Sequence, residues 1–445
     1  MATDHRHTHR KQLQVLAAKL AGNDQPIRVK KRTVSNLFRY DGRDKKQRRE
    51  VDLRDFNKPL HIDSKHQTLE VQGLTTFEQI VDFTLPHGLV PLVTPELKRI
   101  TIGGAIVGIG IETNSYRYGF VHDGLLEADI LLPDGRIITC KPSGEHSDLF
   151  HGLANSYGTL GYVLRAKIKL RPVKQYVKLI TVKSKNTREL VAAMKRTAAD
   201  PKIDYMESLI YSKNELYFTV GVGTNTARAV TSIYGQTVFF REVSRPGTIY
   251  VPIKEYLFRY DPEWFWAIPE TKAYSLFRSV APRHMRSSAF YTRYLGWQEK
   301  LGIAKQQQDV EKLIQDWEVP WKHAKALLDY ALDNLDLDGK PLMTAPTKTV
   351  SKNTLYPMPP GELYLNLGSY NFVRRRPDHP PYHHTHIMDD FTFAHDGIKM
   401  LYSSTFMDKK TFDARYGGAA YKKLKAKYDP KSLAPTLYQK AVKAR

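Results

Sequence analysis

A chain of 445 residues, 41% hydrophobic and 11% aromatic, cannot be disordered throughout and exceeds what one hydrophobic core usually organises, so two domains are expected. Its single cysteine, Cys140, excludes an intrachain disulfide and any cysteine-built zinc or iron–sulfur centre, and suits a reducing compartment. Lys and Arg number 68 against 46 Asp and Glu, a net charge of +22 that calls for polyanionic partners such as phosphorylated cofactors or anionic lipid. No helix-turn-helix, zinc-finger or RNP-type pattern accompanies the charge, so no nucleic-acid partner is expected.

The first 50 residues hold 14 basic and 5 acidic side chains, a net +9. Within them Arg10 to Leu20 spaces Leu13, Leu16 and Leu20 for one side of a short basic helix, to lie on its own domain or on a membrane. Val51 to Gly73 alternates as three short strands, VDLRDF, PLHID and TLEVQG. Thr75 and Glu78 then make a capping box before Phe77, Ile80, Val81 and Leu85, and His87-Gly88 ends that helix. Glu127 to Cys140 reads as a hairpin turning at Pro133-Asp134-Gly135. Asp148 to Asn155 reads as helix, and Tyr162 to Leu170 as a strand closed by Pro172. Further on, Thr187 to Ala199 is helical and Glu215 to Val222 strand-like. Asp309 to Leu335 reads as a long helical region broken at Val319-Pro320. Pro341 to Pro360, with five prolines, reads as a connecting loop, and GELYLNLGSYNF as a central strand. No run of about 18 apolar residues occurs, and the N-terminus has no apolar signal-peptide core.

Thr94 to Gly119 (TPELKRITIGGAIVGIGIETNSYRYG) sets Gly103, Gly104, Gly108 and Gly110 among small apolar residues, where backbone can approach a phosphate closely. It is not a G-x-G-x-x-G fingerprint, because Thr113 stands where the third glycine would be, and no G-x-x-x-x-G-K-[ST] loop exists. It resembles the flavin-pyrophosphate loop of the vanillyl-alcohol oxidase (PCMH-type) family, nearest the 24-dehydrocholesterol reductase (Diminuto) branch and similar bacterial methylene-fatty-acyl reductases. The block LLPDGRIITCKPSGEHSDLFHGLANSYGTLGYVLRAKIKLRPVKQYVKL follows as in that branch. Weaker likeness runs through FRYDPEWFWAIPE, GELYLNLGSY and KMLYSSTFMDKKTFDARYGGAAYKKLKAKYD, so it covers the chain from about Ile27 onward.

The resemblance implies an α+β fold: a basic N-terminal segment (1–24), a two-subdomain PCMH-type FAD-binding domain (25–172), and an α+β substrate or cap domain (173–445) whose end returns to the flavin domain. Lys427-Tyr428-Asp429-Pro430 resembles the K-x-K-Y-D-P close of the wider family. Three segments are implied to hold FAD. The first, Lys31 to Asn36, offers Thr33, Ser35 and Asn36. The second offers Thr101, Ile102, Gly103, Gly104, Gly108, Gly110, Thr113, Asn114, Tyr118 and Gly119, although a buried small-residue turn would read the same way. The third, Gly158, Thr159, Gly161 and Val163, would cover the adenine and ribose, or be only a tight turn. KRTVSN departs from the usual R-G-G-G-H-S and lacks the histidine that carries covalent flavin. FAD is therefore expected to be noncovalent, with NADPH as its implied reductant.

The implied reaction is reduction of a carbon–carbon double bond in a lipid, a methylene-branched fatty acyl chain or a sterol side chain, with a slight tilt to the former. The alternative is an FAD-dependent alcohol or sugar oxidase of the same fold. An isolated alkene is a poor hydride acceptor, so its reduction needs a desolvated acid. Glu112 matches the glutamate of the branch's G-x-G-I-E-S and is read either as that acid or as an acceptor ordering loop amides. Glu362, Tyr364, Asn366 and Tyr402 are further candidates, each with a core role as its alternative. The histidines of His5–His9 and His379–His386 read as solvated loops rather than metal ligands. Trp264-Phe265-Trp266 reads as core or as the wall of an apolar channel. Animal and plant members of the branch carry an N-terminal membrane segment. Here the expectation is a cytoplasmic protein, peripheral on an anionic membrane face.

Overall fold

The computed structural model describes residues 4–32, 48–234, 238–266, 280–282, 285–290, 293, 297 and 310–442, with backbone alone at 264–266. Thr33, Ser35, Asn36 and the side chains of Trp264, Phe265 and Trp266 lie outside the described set.

The N-terminal helix, Arg6–Leu20, packs on its own domain. Leu16 and Leu20 are buried and Leu13 packs beside them, against Val51, Leu53, Phe56, Leu131 and Leu164. Gly135 makes room for it: its φ is +91°, and a Cβ there would lie 2.4 Å from the Leu20 carbonyl oxygen. Beside this helix β1 (Ile27–Lys30) runs parallel to β2 (Arg49–Asp52).

The six-stranded sheet comprises β3 (Pro59–Asp63), β4 (Thr68–Gln72), β5 (Leu89–Pro91), β6 (Leu125–Leu131), β7 (Ile137–Cys140) and β8 (Tyr162–Pro172). Its order is β3-β4-β8-β6-β7, with β5 also on β8. The capping box of the following helix, Phe77–Thr84, is Thr76 with Gln79, one residue on from the expected Thr75–Glu78 pair. Only Thr76 is extended with its hydroxyl toward the Gln79 amide (3.3 Å), whereas Thr75 is fully buried. Gly88, at φ +69°, stops the turn that follows.

The second sheet has β9 (Tyr176–Ser184), β10 (Tyr205–Ser212), β11 (Glu215–Thr224), β12 (Gly247–Pro252), β13 (Val310–Pro320), β14 (Leu342–Thr347), β15 (Tyr364–Arg374) and β16 (Ile398–Lys399). Their order is β12-β9-β11-β10-β14-β15-β13-β16. Two expectations fail in this sheet. Val310–Pro320, expected as helix, is β13, paired along its whole length with β15. Its Leu313, Ile314 and Trp317 mimic helical spacing, yet both faces of the strand are buried, which removes the alternation that marks a strand. Leu342–Thr347, expected as loop, is β14. Pro346 fits there because β10 pairs only with Leu342 to Thr344, so the missing N–H is not required on that side.

The last helices return to the first domain. Lys427 Nζ lies 2.9 Å from Asp148, on the helix Ser147–Gly152, and Lys425 Nζ donates to the Thr159 carbonyl at 2.9 Å. Asp429 accepts the Leu433 and Ala434 amides, fixing the turn after the Lys427-Tyr428-Asp429-Pro430 motif.

Candidate functional site

A cavity of about 870 Å³ lies between the glycine-rich segment of the first domain and one face of the second sheet. The glycine-rich segment is a helix rather than a loop: Ile102–Gly108, capped by the Thr101 hydroxyl. Its first amides are already used. Ile102 N–H donates to Thr75 O, Gly103 N–H to Gly73 O and Gly104 N–H to Thr101 Oγ1. Gly103 is a packing glycine, since a Cβ would meet Gly73 O at 2.8 Å and the Val163 Cβ at 3.1 Å. Gly104 is different. It is exposed to the cavity, and a Cβ would meet only Thr101 Oγ1, at 3.0 Å. A bare stretch of backbone at a cavity wall is what a closely held phosphorylated cofactor requires, and the residues present fit FAD in that respect.

Thr101, Gly103, Gly104, Gly108, Gly110 and Thr113 all border the cavity. So do Gly158, Gly161 and Val163, in a turn where Gly158 (φ +74°) and Gly161 (φ +143°) hold left-handed backbone. Five expected residues do not border it. Ile102 is buried beneath the helix, and Asn114 donates to the Leu92 carbonyl. Tyr118 lies under the Arg171 guanidinium, and Gly119 makes room for Asp123. Thr159 is held from behind by Tyr421 and Lys425. These five support the wall rather than form it.

Glu112 sits at the cavity, but as an acceptor. Its Oε2 takes the Thr113 amide (2.9 Å) and hydroxyl (3.1 Å) and lies 3.1 Å from Arg259 Nη2. Arg259, 1% exposed, also donates from Nε to Glu207 (3.0 Å), which accepts the Tyr260 hydroxyl at 2.9 Å. The guanidinium lies 4.8 Å from the Tyr256 ring centre and 5.0 Å from that of Tyr260. Glu96, on the same wall, is pushed well above the ordinary carboxyl range by burial first and then by the neighbouring Glu112 charge. One cation thus serves several carboxyls, and burial favours the protonated form of Glu96.

The opposite wall is the sheet. Asp316 on β13 and Asn366 and Tyr370 on β15 border the cavity together with Tyr402. Asp316 Oδ2 accepts the Tyr402 hydroxyl (2.7 Å) and, more weakly, that of Tyr370 (3.4 Å). Asp316 is raised to about 6, by burial against the opposing hydroxyl and Asn366 hydrogen bonds. Two residues on, Glu318 is raised to about 7 for the same first reason, although Tyr356 and Thr347 donate to it. Strand parity puts Tyr364, Asn366, Gly368 and Tyr370 on one face. Tyr364 nevertheless lies beyond the cavity's end, opposite Pro320 and Thr347, and Glu362 is exposed ahead of the strand. Neither expected residue reaches the site.

A carboxyl raised on folding binds its proton more tightly in the folded than in the unfolded chain, so its contribution is complete at low pH and is lost as pH rises through the folded value. Stability should therefore decline from about pH 4 to about pH 7 through Asp316 and Glu318. Glu318→Gln should flatten that slope in thermal melts across this range, and an unchanged slope would refute the assignment.

The histidine runs are not solvated loops. His384 is buried at the start of the helix His383–Ala394, 3.1 Å from Glu311, and His9 is buried in the N-terminal helix against Gln72. Among the described residues no group of three His, Cys, Asp or Glu side chains is placed to hold a metal ion.

Sequence reasoning missed Asp316, Glu96, Glu207 and Arg259. A usable signal existed in Glu207 and Asp316: charged residues inside largely apolar strand-length runs, YMESLIY and LIQDWEV, which are costly unless functional or paired.

Comparison with known proteins agrees with this geometry. The family profile of an FAD binding domain matches residues 8–141, so the chain carries such a domain. The chain is similar to the Delta(24)-sterol reductase of Homo sapiens, 28% identical over 408 residues, covering 86% of this chain and 76% of that one. The Delta(24)-sterol reductase of Arabidopsis thaliana is 26% identical over 447 residues, 89% of this chain and 77% of its own. A more partial likeness, 23% over 193 residues, reaches cytokinin dehydrogenase 7 of Oryza sativa subsp. japonica, covering 39% of this chain and 37% of that protein.

Proposed function

We propose that this chain, an FAD-dependent oxidoreductase by its FAD-binding domain and its likeness to sterol reductases over most of its length, reduces a carbon–carbon double bond in a lipid. The observation that carries the reading is one cavity with two unlike walls. One wall offers bare glycine backbone for the cofactor. The other adds Met343, Ala345 and Met400 to a buried carboxyl, an apolar bed for hydrocarbon with one acid in it. When bound, reduced FAD supplies hydride; NADPH is the implied reductant. The residues of the sheet hold the hydrocarbon, exclude water and place the proton.

The names of the relatives favour a sterol side chain over the methylene-branched acyl chain as substrate. Supplying each lipid class to cells expressing the protein and following products by mass spectrometry tests the reading. Saturation of one alkene is expected; saturation of neither, with peroxide formed from a polyol, would instead establish the alcohol-oxidase alternative.

No histidine or cysteine borders the cavity among the described residues, and Cys140 is buried in β7 with its thiol pushed up to about 12 by burial. FAD should therefore leave the protein intact on acid or heat denaturation. Flavin retained by the denatured polypeptide would contradict this.

Membrane contact should be peripheral and electrostatic. Among the described residues no helix is long and apolar enough to cross a bilayer, and the leucines of the N-terminal helix are already committed to its own domain. The net +9 of the first 50 residues remains, worth about 1 kcal/mol per basic residue near an anionic surface. Co-sedimentation with anionic vesicles should fall at high salt, and equal binding to neutral vesicles would show apolar insertion instead.

A further inference from the structure

Four carboxyls border the cavity, and three of them belong to one charge cluster. Glu112 and Glu207 are paired with Arg259, and Glu96 faces Glu112. Asp316 stands apart on the other wall. Among the described residues no Lys, Arg or His pairs with it, and its oxygen Oδ2 is held by the neutral hydroxyls of Tyr402 and Tyr370. A strand glycine opposite it, Gly368, leaves the space its side chain occupies: a Cβ there would lie 2.8 Å from Asp316 Oδ1. The surrounding wall is apolar, with Met343 and Met400 adjacent.

We infer that Asp316 is the proton donor to the alkene, oriented by Tyr402 and Tyr370. The assignment rests on the reductase reading above and names the acid that reading needs. The alkene π pair forms the new C–H bond with the Asp316 proton, and the neighbouring carbon would take the hydride that reduced FAD would supply when bound. The double bond becomes single, and Asp316 is left as the carboxylate to be reprotonated from water. Burial with only neutral hydrogen-bond partners makes the Asp316 carboxyl hold its proton more tightly than a solvated one, and no cation beside it favours the carboxylate. The groups facing Asp316 are the Tyr402 and Tyr370 hydroxyls, the Asn366 amide and, two residues along β13, Glu318.

The test compares holoenzymes. Asp316→Asn should keep its FAD content and its flavin absorbance change on binding the saturated product, yet lose about 10²- to 10⁴-fold in alkene reduction. Tyr402→Phe removes a hydrogen bond that stabilises the carboxylate. The donor then holds its proton to higher pH, and the alkaline limb of the kcat profile should move upward, which a purely structural tyrosine would not cause. In deuterated water the wild type should place one deuterium on the carbon that does not receive hydride. Asp316→Asn reducing the alkene within threefold of wild type would overturn the assignment while leaving the reductase reading intact. A wild type that reduces no alkene would defeat the reading itself. Should Asp316→Asn fail to fold, an alkaline limb unmoved in Tyr402→Phe overturns the assignment instead.

Discussion

Arg259→Met should destabilise the protein by about 3–5 kcal/mol, the usual consequence of removing one partner from a buried ion-pair cluster. The side chain is 1% exposed and is the cation between Glu112 (3.1 Å) and Glu207 (3.0 Å). Methionine fills much of the volume, so the loss is electrostatic rather than a cavity effect. Two carboxylates would remain in a site where burial already holds Glu207 above the ordinary range despite the arginine. Without the cation Glu207 is raised further, its proton is held more tightly folded than unfolded, and stability is lost as pH rises. The deficit measured by urea denaturation should therefore be larger at pH 8 than at pH 5. Adding Glu207→Gln should recover part of it by removing one stranded charge. A change within about 1 kcal/mol at both pH values would mean that the cluster is solvated and that the pairing does not hold the two walls together.

Gly104→Leu should give a folded protein without flavin. Gly104 faces the cavity, and the nearest atom to an added Cβ is the Thr101 hydroxyl at 3.0 Å, so a side chain can leave the helix without striking backbone. Leucine is also the better helix residue, by roughly 0.5–1 kcal/mol. The branched side chain would occupy the space that close cofactor approach needs, and FAD affinity should fall at least about 100-fold, near 3 kcal/mol. Flavin absorbance per protein and the thermal midpoint, compared with FAD-stripped wild type, separate the two effects. Gly103→Leu is the contrasting variant: the Gly73 carbonyl lies 2.8 Å from its Cβ, so it should fail to fold rather than fail to bind. A yellow Gly104→Leu protein would place the cofactor elsewhere in the cavity.

These two glycines mark how far the sequence reads by itself. Their clustering at Gly103–Gly110, the Pro133-Asp134-Gly135 hairpin and the stop at Gly88 are local facts, because backbone freedom and turn chemistry depend on neighbours a few residues away. Helices such as Thr187–Ala198, whose apolar side and Asn186 cap coincide, are legible for the same reason. The α+β class and the FAD-binding segment followed from such local signals together with the family resemblance. Which glycine packs and which faces the cavity did not, since Gly103 and Gly104 differ only in what the fold brings against them: Gly73 and Val163 for one, open cavity for the other.

The acid side of the site was decided by tertiary structure. Val310–Pro320 carries no alternation because both its faces are covered, so its period suggests a helix and hides Asp316 from a search for strand residues facing a cavity. Only pairing with β15 sets Asp316 opposite Gly368 and near Tyr370, and only the return of the chain at Tyr402 completes its hydrogen bonds. Glu112 was visible in sequence as a carboxyl in a glycine-rich segment. Its character as an acceptor came from Arg259, 147 positions away, which no local pattern could supply. Sequence determined what each segment was able to be. Long-range pairing determined which carboxyl meets a cation and which meets only neutral hydroxyls.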